Sequence, residues 1–152
     1  MSERAAQLVA QLGLEPHPEG GWYRSTWRDE PADGSRGRAS AIHYLLQAGE
    51  RSHWHRIDAV EVWLHHEGGP LELSTEGQQP TLLGSGGAAA GEVIQAVVPA
   101  GVWQAARSLG PFALVSCVVS PAFSFEGFEL APEGWSPSGR SGTGNQEGSS
   151  HR

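Results

Sequence analysis

The amino-acid sequence predicts an all-β domain in which roughly ten short strands close into a sandwich or a barrel. Three observations carry this. The chain has 21 glycines and 10 prolines in 152 residues, while charged residues make up only 18%, below the usual share of about a quarter. Turn formers have taken the place of charge. Signals for turns recur about every ten residues, with apolar or alternating runs between them. Hydrophobic residues nevertheless reach 38%, enough for a core, and the length suits one domain rather than two.

The first element is the exception to the β pattern. Ala5, Leu8, Val9 and Leu12 recur at i, i+3, i+4 and i+7, with Ser2 placed to cap and Gly13 to stop, so residues 1–13 are read as an N-terminal helix. Residues 15–21 (EPHPEGG) are read as a loop, because two prolines and two glycines force irregular backbone. Strands are then expected over 22–28, 39–47, 52–56, 60–66, 71–74, 81–83, 92–98, 103–108, 112–120 and 127–130. The segment 57–59 is short enough for a tight turn that returns the chain antiparallel. Residues 84–91 (GSGGAAAG) are expected to form a loose hairpin connection. Runs 41–46 and 112–119 are apolar on both faces, the pattern of burial between sheets or between subunits. A single domain is expected over 1–132. From 133 to 152 aliphatic and aromatic side chains all but vanish, so this stretch, His151 included, is expected to be a disordered tail.

Composition also excludes partners. A net charge of −7 with only ten Lys and Arg argues against nucleic acid, whose phosphates need clustered cations. The single cysteine, Cys117, rules out an intrachain disulfide and sits in an apolar run as a small buried hydrophobe. The N-terminus has no basic region followed by a long apolar one. No apolar run approaches the roughly 20 residues of a membrane helix. A cytoplasmic protein is expected.

Five of the seven histidines fall between residues 43 and 66. Side chains alternate along a strand, so His53 and His55 are expected on one face, a two-nitrogen clamp suited to a divalent metal or to proton transfer. By the same alternation Glu61, Trp63 and His65 share a face of the next strand, where Glu61 would supply an oxygen ligand or a general base. His65 and His66 are adjacent and face opposite ways. Some forty residues on, the Pro99-Ala100-Gly101 turn leads to Trp103 and Gln104. The Gln104 amide is a poor ligand for transition metals but a good hydrogen-bonding group.

Together these segments resemble the two signature motifs of the cupin superfamily. Gly49, His53-Trp54-His55, Glu61 and Gly68 match the first in order, with the His55-to-Glu61 gap longer than usual. Gly91, Pro99 and Gly101 match the second, with Gln104 where a histidine is expected. A narrower match covers almost the whole ordered chain: it is similar to the cupin-5 (DUF985) family. The carriers are His17-Pro18-Glu19-Gly20-Gly21-Trp22-Tyr23-Arg24, Ser40-Ala41-Ile42 with Tyr44-Leu45-Leu46, Ser52-His53-Trp54-His55-Arg56, Glu61-Val62-Trp63, Pro99-Ala100-Gly101-Val102-Trp103-Gln104, and Pro121-Ala122-Phe123 with Phe125 and Phe128-Glu129-Leu130. The resemblance implies a double-stranded β-helix (a jelly-roll-like barrel), an internal pocket, and a homodimer. Glutamine at the position of Gln104 is usual there. The family's acidic residue and histidine on either side of Glu-Val-Trp are replaced here by Val60 and Leu64.

The resemblance implies little about activity beyond a likeness of such pockets to those of cupin sugar epimerases and isomerases. The leading expectation is therefore a small-molecule enzyme of isomerase or epimerase type acting on a polar, carbohydrate-like or carbonyl-bearing metabolite. His53, His55 and Glu61 are its expected catalytic residues. Gln104, Arg56, Arg24, Glu19, Trp63, His65, Trp103 and Phe123 are its expected substrate-binding residues, with either arginine holding an anionic group. The first alternative is a metal-dependent enzyme holding Fe, Mn, Ni or Zn on His53, His55 and Glu61. The second is a non-catalytic ligand-binding protein.

Overall fold

A computed structural model describes residues 1–137. Helix α1 spans Glu3–Leu12. The Ser2 hydroxyl accepts from the Ala5 N–H at 3.1 Å, and Gly13 ends the helix in the left-handed region at φ +66°, where a Cβ is disfavoured. Twelve strands follow: β1 (Glu15–Pro16), β2 (Trp22–Arg28), β3 (Ser40–Gln47), β4 (Arg51–Ile57), β5 (Val60–Gly68), β6 (Leu71–Thr75), β7 (Thr81–Leu83), β8 (Glu92–Val93), β9 (Gln95–Val98), β10 (Gln104–Ser108), β11 (Phe112–Ser120) and β12 (Phe128–Leu130). They form two six-stranded sheets, ordered β1-β2-β3-β11-β5-β9 and β12-β4-β10-β6-β7-β8. This is the double-stranded β-helix that the motifs imply.

The core lies between the sheets, where Tyr44, Leu46 and Trp63 of the first meet Leu71, Leu73 and Leu83 of the second. A second cluster seats Ala5 and Leu8 of α1 on Leu45, Phe112 and Leu114. This explains why the runs 41–46 and 112–119 are apolar on both faces. One face of β3 and β11 lines the barrel, and part of the other is covered by the helix.

Departures from the sequence reading concern how strands connect. Residues 15–16 pair with β2, Glu15 opposite Tyr23, so the expected loop begins with a short edge strand, a place where proline is tolerated. The expected strand 92–98 is two strands. β8 runs parallel to β7 in the second sheet, and β9 runs antiparallel to β5 in the first, so the chain changes sheets at Ile94. Residues 84–91 are consequently no hairpin; they carry a 3₁₀ turn at Ala88–Ala90 between parallel neighbours. The turn after Ile57 likewise passes the chain from one sheet to the other, so β4 and β5 do not pair as a hairpin. Periodicity reports which face of a strand is buried but not which sheet it joins.

Beyond β12, Trp135 packs on Trp103 with ring centroids 4.6 Å apart. The remainder of the expected tail, residues 138–152 with His151, lies outside the described residues. Among the described residues no helix is long and apolar enough to cross a membrane.

Candidate active site

Between the two sheets lies a cavity of about 390 Å³. Its walls are largely apolar, built from Ile42, Ile57, Val119, Phe123 and Phe128, and its polar groups include His17, Glu19, Tyr44, Ser52, His55, Glu61 and Cys117. A concave apolar chamber with a few convergent polar groups is the usual form of a small-molecule site. A more open cleft of about 540 Å³ involves Arg36 and Asp58. These two form an ion pair, with Arg36 Nη2 2.8 Å from Asp58 Oδ1, and that cleft contains no histidine.

His53 and His55 do not share the cavity face. On β10, Gln104 lies opposite His55 and Ala106 opposite Ser52, so three steps on β4 match two on β10. One extra residue is accommodated as a β-bulge at His53–Trp54, and alternation is reset there. Ser52, His55 and Ile57 therefore turn inward, at 3%, 7% and 6% exposure. His53 is left outside the cavity lining, its Nε2 3.0 Å from the Pro132 carbonyl oxygen.

The bulge also sets the chemistry of His55. Its Nδ1 is 2.8 Å from the carbonyl oxygen of His53. A carbonyl oxygen only accepts, so Nδ1 carries a proton, and in the neutral ring Nε2 keeps a free lone pair.

Across the cavity, β5 presents Glu61. Expected alternation holds here: Glu61, Trp63 and His65 are all buried. The fully buried Gln104 ties two of them together. Its Nε2 donates to Glu61 Oε1 at 2.8 Å, and its Oε1 accepts from Trp63 Nε1 at 3.0 Å. Gln104 is thus a strut from the second sheet to the first and does not line the cavity, contrary to its expected part in binding substrate. Burial pushes the Glu61 carboxyl above its ordinary range, while His55, the Gln104 amide and the Cys117 thiol hold it down. The thiol itself is pushed well up by burial and by Glu61, so Cys117 is a neutral neighbour of the carboxyl.

The remaining expected binding residues divide. Glu19, Trp63 and Phe123 line the cavity. Burial raises the Glu19 carboxyl, with His55 opposing. Arg56 does not line it: it pairs with Glu129 at 2.8 Å and lies over the ring of Trp103, 4.6 Å from its centroid. Trp103 is likewise outside, between Arg56 and Trp135. Arg24 is exposed and reaches the Gly13 carbonyl. His65 lies past Trp63 along the same face, with Nε2 2.9 Å from the Gly69 carbonyl oxygen and a buried, unpartnered Nδ1. Arg24, Arg56 and Trp103 thus lie outside the cavity lining: β2 and β4 turn the two arginines away from it, and Trp103 sits in the loop just before β10.

The sequence reading missed His17, Tyr44 and Ser52 as cavity residues. His17 sits in the proline- and glycine-rich segment before β2 and packs against Tyr23 and Tyr44, at 4.6 and 5.3 Å between ring centroids. The signal was the demanding backbone around it: Gly20 and Gly21 have φ +111° and +85°, a sign that the loop is held against something.

The expected metal set does not assemble. His53 is turned out by the bulge, and the one oxygen of the Gln104 amide already accepts from Trp63. Among the described residues no three His, Cys, Asp or Glu side chains are grouped as metal ligands. His55 and Glu61 both remain in the cavity lining, where His55 helps to hold the Glu61 carboxyl down.

The family model described as the cupin superfamily, DUF985, matches residues 6–131. A solved protein from Shewanella oneidensis is 42% identical with a TM-score of 0.78, the match covering 85% of each chain. A hypothetical protein from Leishmania major is 29% identical with a TM-score of 0.75, covering 85% of this chain and 88% of that one. A DMSP lyase from Ruegeria pomeroyi is 17% identical with a TM-score of 0.58, over 84% of this chain and 66% of its own; that likeness is one of fold alone. No curated protein matches the sequence.

Proposed function

The chain belongs to the DUF985 family of the cupin superfamily, and from that premise we propose that the barrel cavity is the active site of a small-molecule enzyme of isomerase or epimerase type. It acts on a carbonyl-bearing metabolite. The observation that carries this reading is the fixed tautomer of His55, whose Nδ1–H is committed to the His53 carbonyl at 2.8 Å, leaving Nε2 as a base. Removing a proton next to a carbonyl requires such a lone pair, and returning it requires only the conjugate acid so formed. Glu61, approaching from the opposite sheet, is the second group able to hold a proton, since burial raises its affinity for one. The apolar walls exclude water, which strengthens both interactions.

The test is proton exchange in D₂O. The protein is incubated with a panel of neutral aldoses, hydroxyketones and aryl ketones, and deuterium uptake next to the carbonyl is followed by NMR. Accelerated uptake that falls about 10²–10⁴-fold in His55→Gln is the expected result. A wild-type protein that binds a member of the panel yet exchanges no proton would instead make it a ligand-binding protein.

A further inference from the structure

The His17 loop carries more than packing. His17 N–H donates to the Gly21 carbonyl at 2.8 Å and Gly20 N–H to the His17 carbonyl at 3.0 Å, closing the segment on itself. The Tyr44 hydroxyl then donates to the Gly20 carbonyl at 2.6 Å, fastening it to β3. A Cβ on Gly20 would sit 2.4 Å from the Arg51 carbonyl oxygen, and one on Gly21 2.8 Å from that of Leu45. The loop is pressed against β3 and β4 so closely that only glycine fits.

Within this clasp the Glu19 N–H donates to His17 Nδ1 at 3.0 Å. Nδ1 therefore offers its lone pair to the backbone, and the ring proton resides on Nε2. Burial, reinforced by His55, lowers the His17 pKa to about 4, so the ring is neutral near pH 7. No described residue hydrogen-bonds to Nε2. Two histidines line the cavity with opposite polarity: His55 presents an acceptor, His17 a donor.

We propose that His17 is a catalytic residue of this cavity, its Nε2–H donating to the carbonyl oxygen of a neutral, apolar-bodied carbonyl substrate and stabilising the enolate that forms when His55 Nε2 removes the adjacent proton. This rests on the proton-transfer reading of the site. In the step the C–H bond breaks and its electron pair becomes the C=C bond. The carbonyl π pair moves to oxygen, and the proton resides on His55 until it is returned to carbon. Substrate neutrality follows from the charges present. Two carboxyls, Glu19 and Glu61, line the cavity, while the one arginine among its described lining residues, the exposed Arg28, donates to the Phe123 carbonyl at the rim. An apolar body matches Ile42, Ile57, Val119 and the aromatic trio Phe123, Phe125 and Phe128.

The probes are 4-phenylbutan-2-one and its anionic counterpart 4-phenyl-2-oxobutanoate, the same body with a carboxylate in place of the methyl group. The wild type is expected to speed deuterium exchange of the ketone in preference to the oxo acid. His17→Phe, which keeps a ring between Tyr23 and Tyr44, is expected to slow it about 10²–10³-fold, the usual effect of removing one donor to a developing oxyanion. A long-range ¹H–¹⁵N spectrum of the wild type, which does not depend on the variant folding, is expected to show His17 protonated on Nε2 alone at pH 7, with that resonance moving when the ketone is added. Exchange in the wild type that persists undiminished in a folded His17→Phe overturns the proposal and leaves the proton-transfer reading standing. No exchange, but a shifted His17 resonance, overturns the proton-transfer reading and the catalytic role of His17 with it, and makes His17 a ligand-binding donor only. A proton on Nδ1, a resonance indifferent to the ketone, or preference for the oxo acid overturns the proposal outright.

Discussion

Replacing Gln104 with methionine removes both halves of the strut between the sheets at nearly constant volume. Gln104 is fully buried at 0% exposure, so neither orphaned partner can turn to bulk water. The Trp63 N–H loses its acceptor at 3.0 Å, and Glu61 loses a donor at 2.8 Å. A buried polar group left without its partner costs about 1–3 kcal/mol, with more for an ionised one. The expected loss for Gln104→Met is therefore about 2–5 kcal/mol, a large part of the roughly 5–15 kcal/mol that holds a domain together. Urea unfolding followed by tryptophan fluorescence measures it directly. The loss should also depend on pH. Glu61 has a raised pKa in the fold, so the stability linked to its protonation is present below its unfolded pKa and is lost as pH rises through the folded value. The Gln104 donor lowers that folded pKa, and removing it raises it further. The penalty should therefore grow as pH rises through the folded pKa of Glu61, because the lost donor stabilises the ionised carboxylate. A loss under about 1 kcal/mol would refute the strut; a loss that stays constant across the whole pH range of folding would refute its electrostatic half.

Three further outcomes follow from the same geometry. His53→Ala should leave proton exchange within about threefold of wild type while His55→Gln abolishes it; equal losses, or stoichiometric metal in tag-free protein that disappears with His53→Ala, would show that the bulge does not separate the two residues. Gly21→Ala should destabilise the fold by about 1–3 kcal/mol in thermal unfolding, because φ is +85° and the new methyl meets the Leu45 carbonyl oxygen; an unchanged melting temperature would mean the loop is not clasped. His17, with its folded pKa lowered to about 4, contributes stability that is present above pH 6.5 and is lost as pH falls toward 4, since the unfolded chain binds the extra proton. After allowance for screening at a partly exposed ring this is on the order of 1–2 kcal/mol, so His17→Phe should flatten the stability profile in that window, and an unaltered slope would contradict it.

Much of the barrel was legible because its signals are local. The helix was bounded by a serine cap and a glycine stop, and β2, β7 and β11 fall on residues 22–28, 81–83 and 112–120, where breakers flank alternating or apolar runs. Strand connections were less legible. Periodicity could not tell that β4 and β5 lie in different sheets, nor that one apolar stretch divides at Ile94. At the site, the alternation of Glu61, Trp63 and His65 survived into the structure because β5 is uninterrupted through those residues. The alternation of His53 and His55 did not, because a bulge depends on register with β10 and leaves no mark in β4 itself.

The sequence by itself determined which residues carry chemistry and that they sit on a small all-β barrel, since composition, turn residues and side-chain spacing are properties of the chain alone. Tertiary structure decided which of them meet. It took His53, Arg24, Arg56 and Trp103 out of the cavity and placed Gln104 behind its wall. It brought in His17 from a loop far away in the sequence. The physical reason is that strand register and the choice of sheet are settled by pairing between distant segments. A single residue of slip there reverses the face that every following side chain presents.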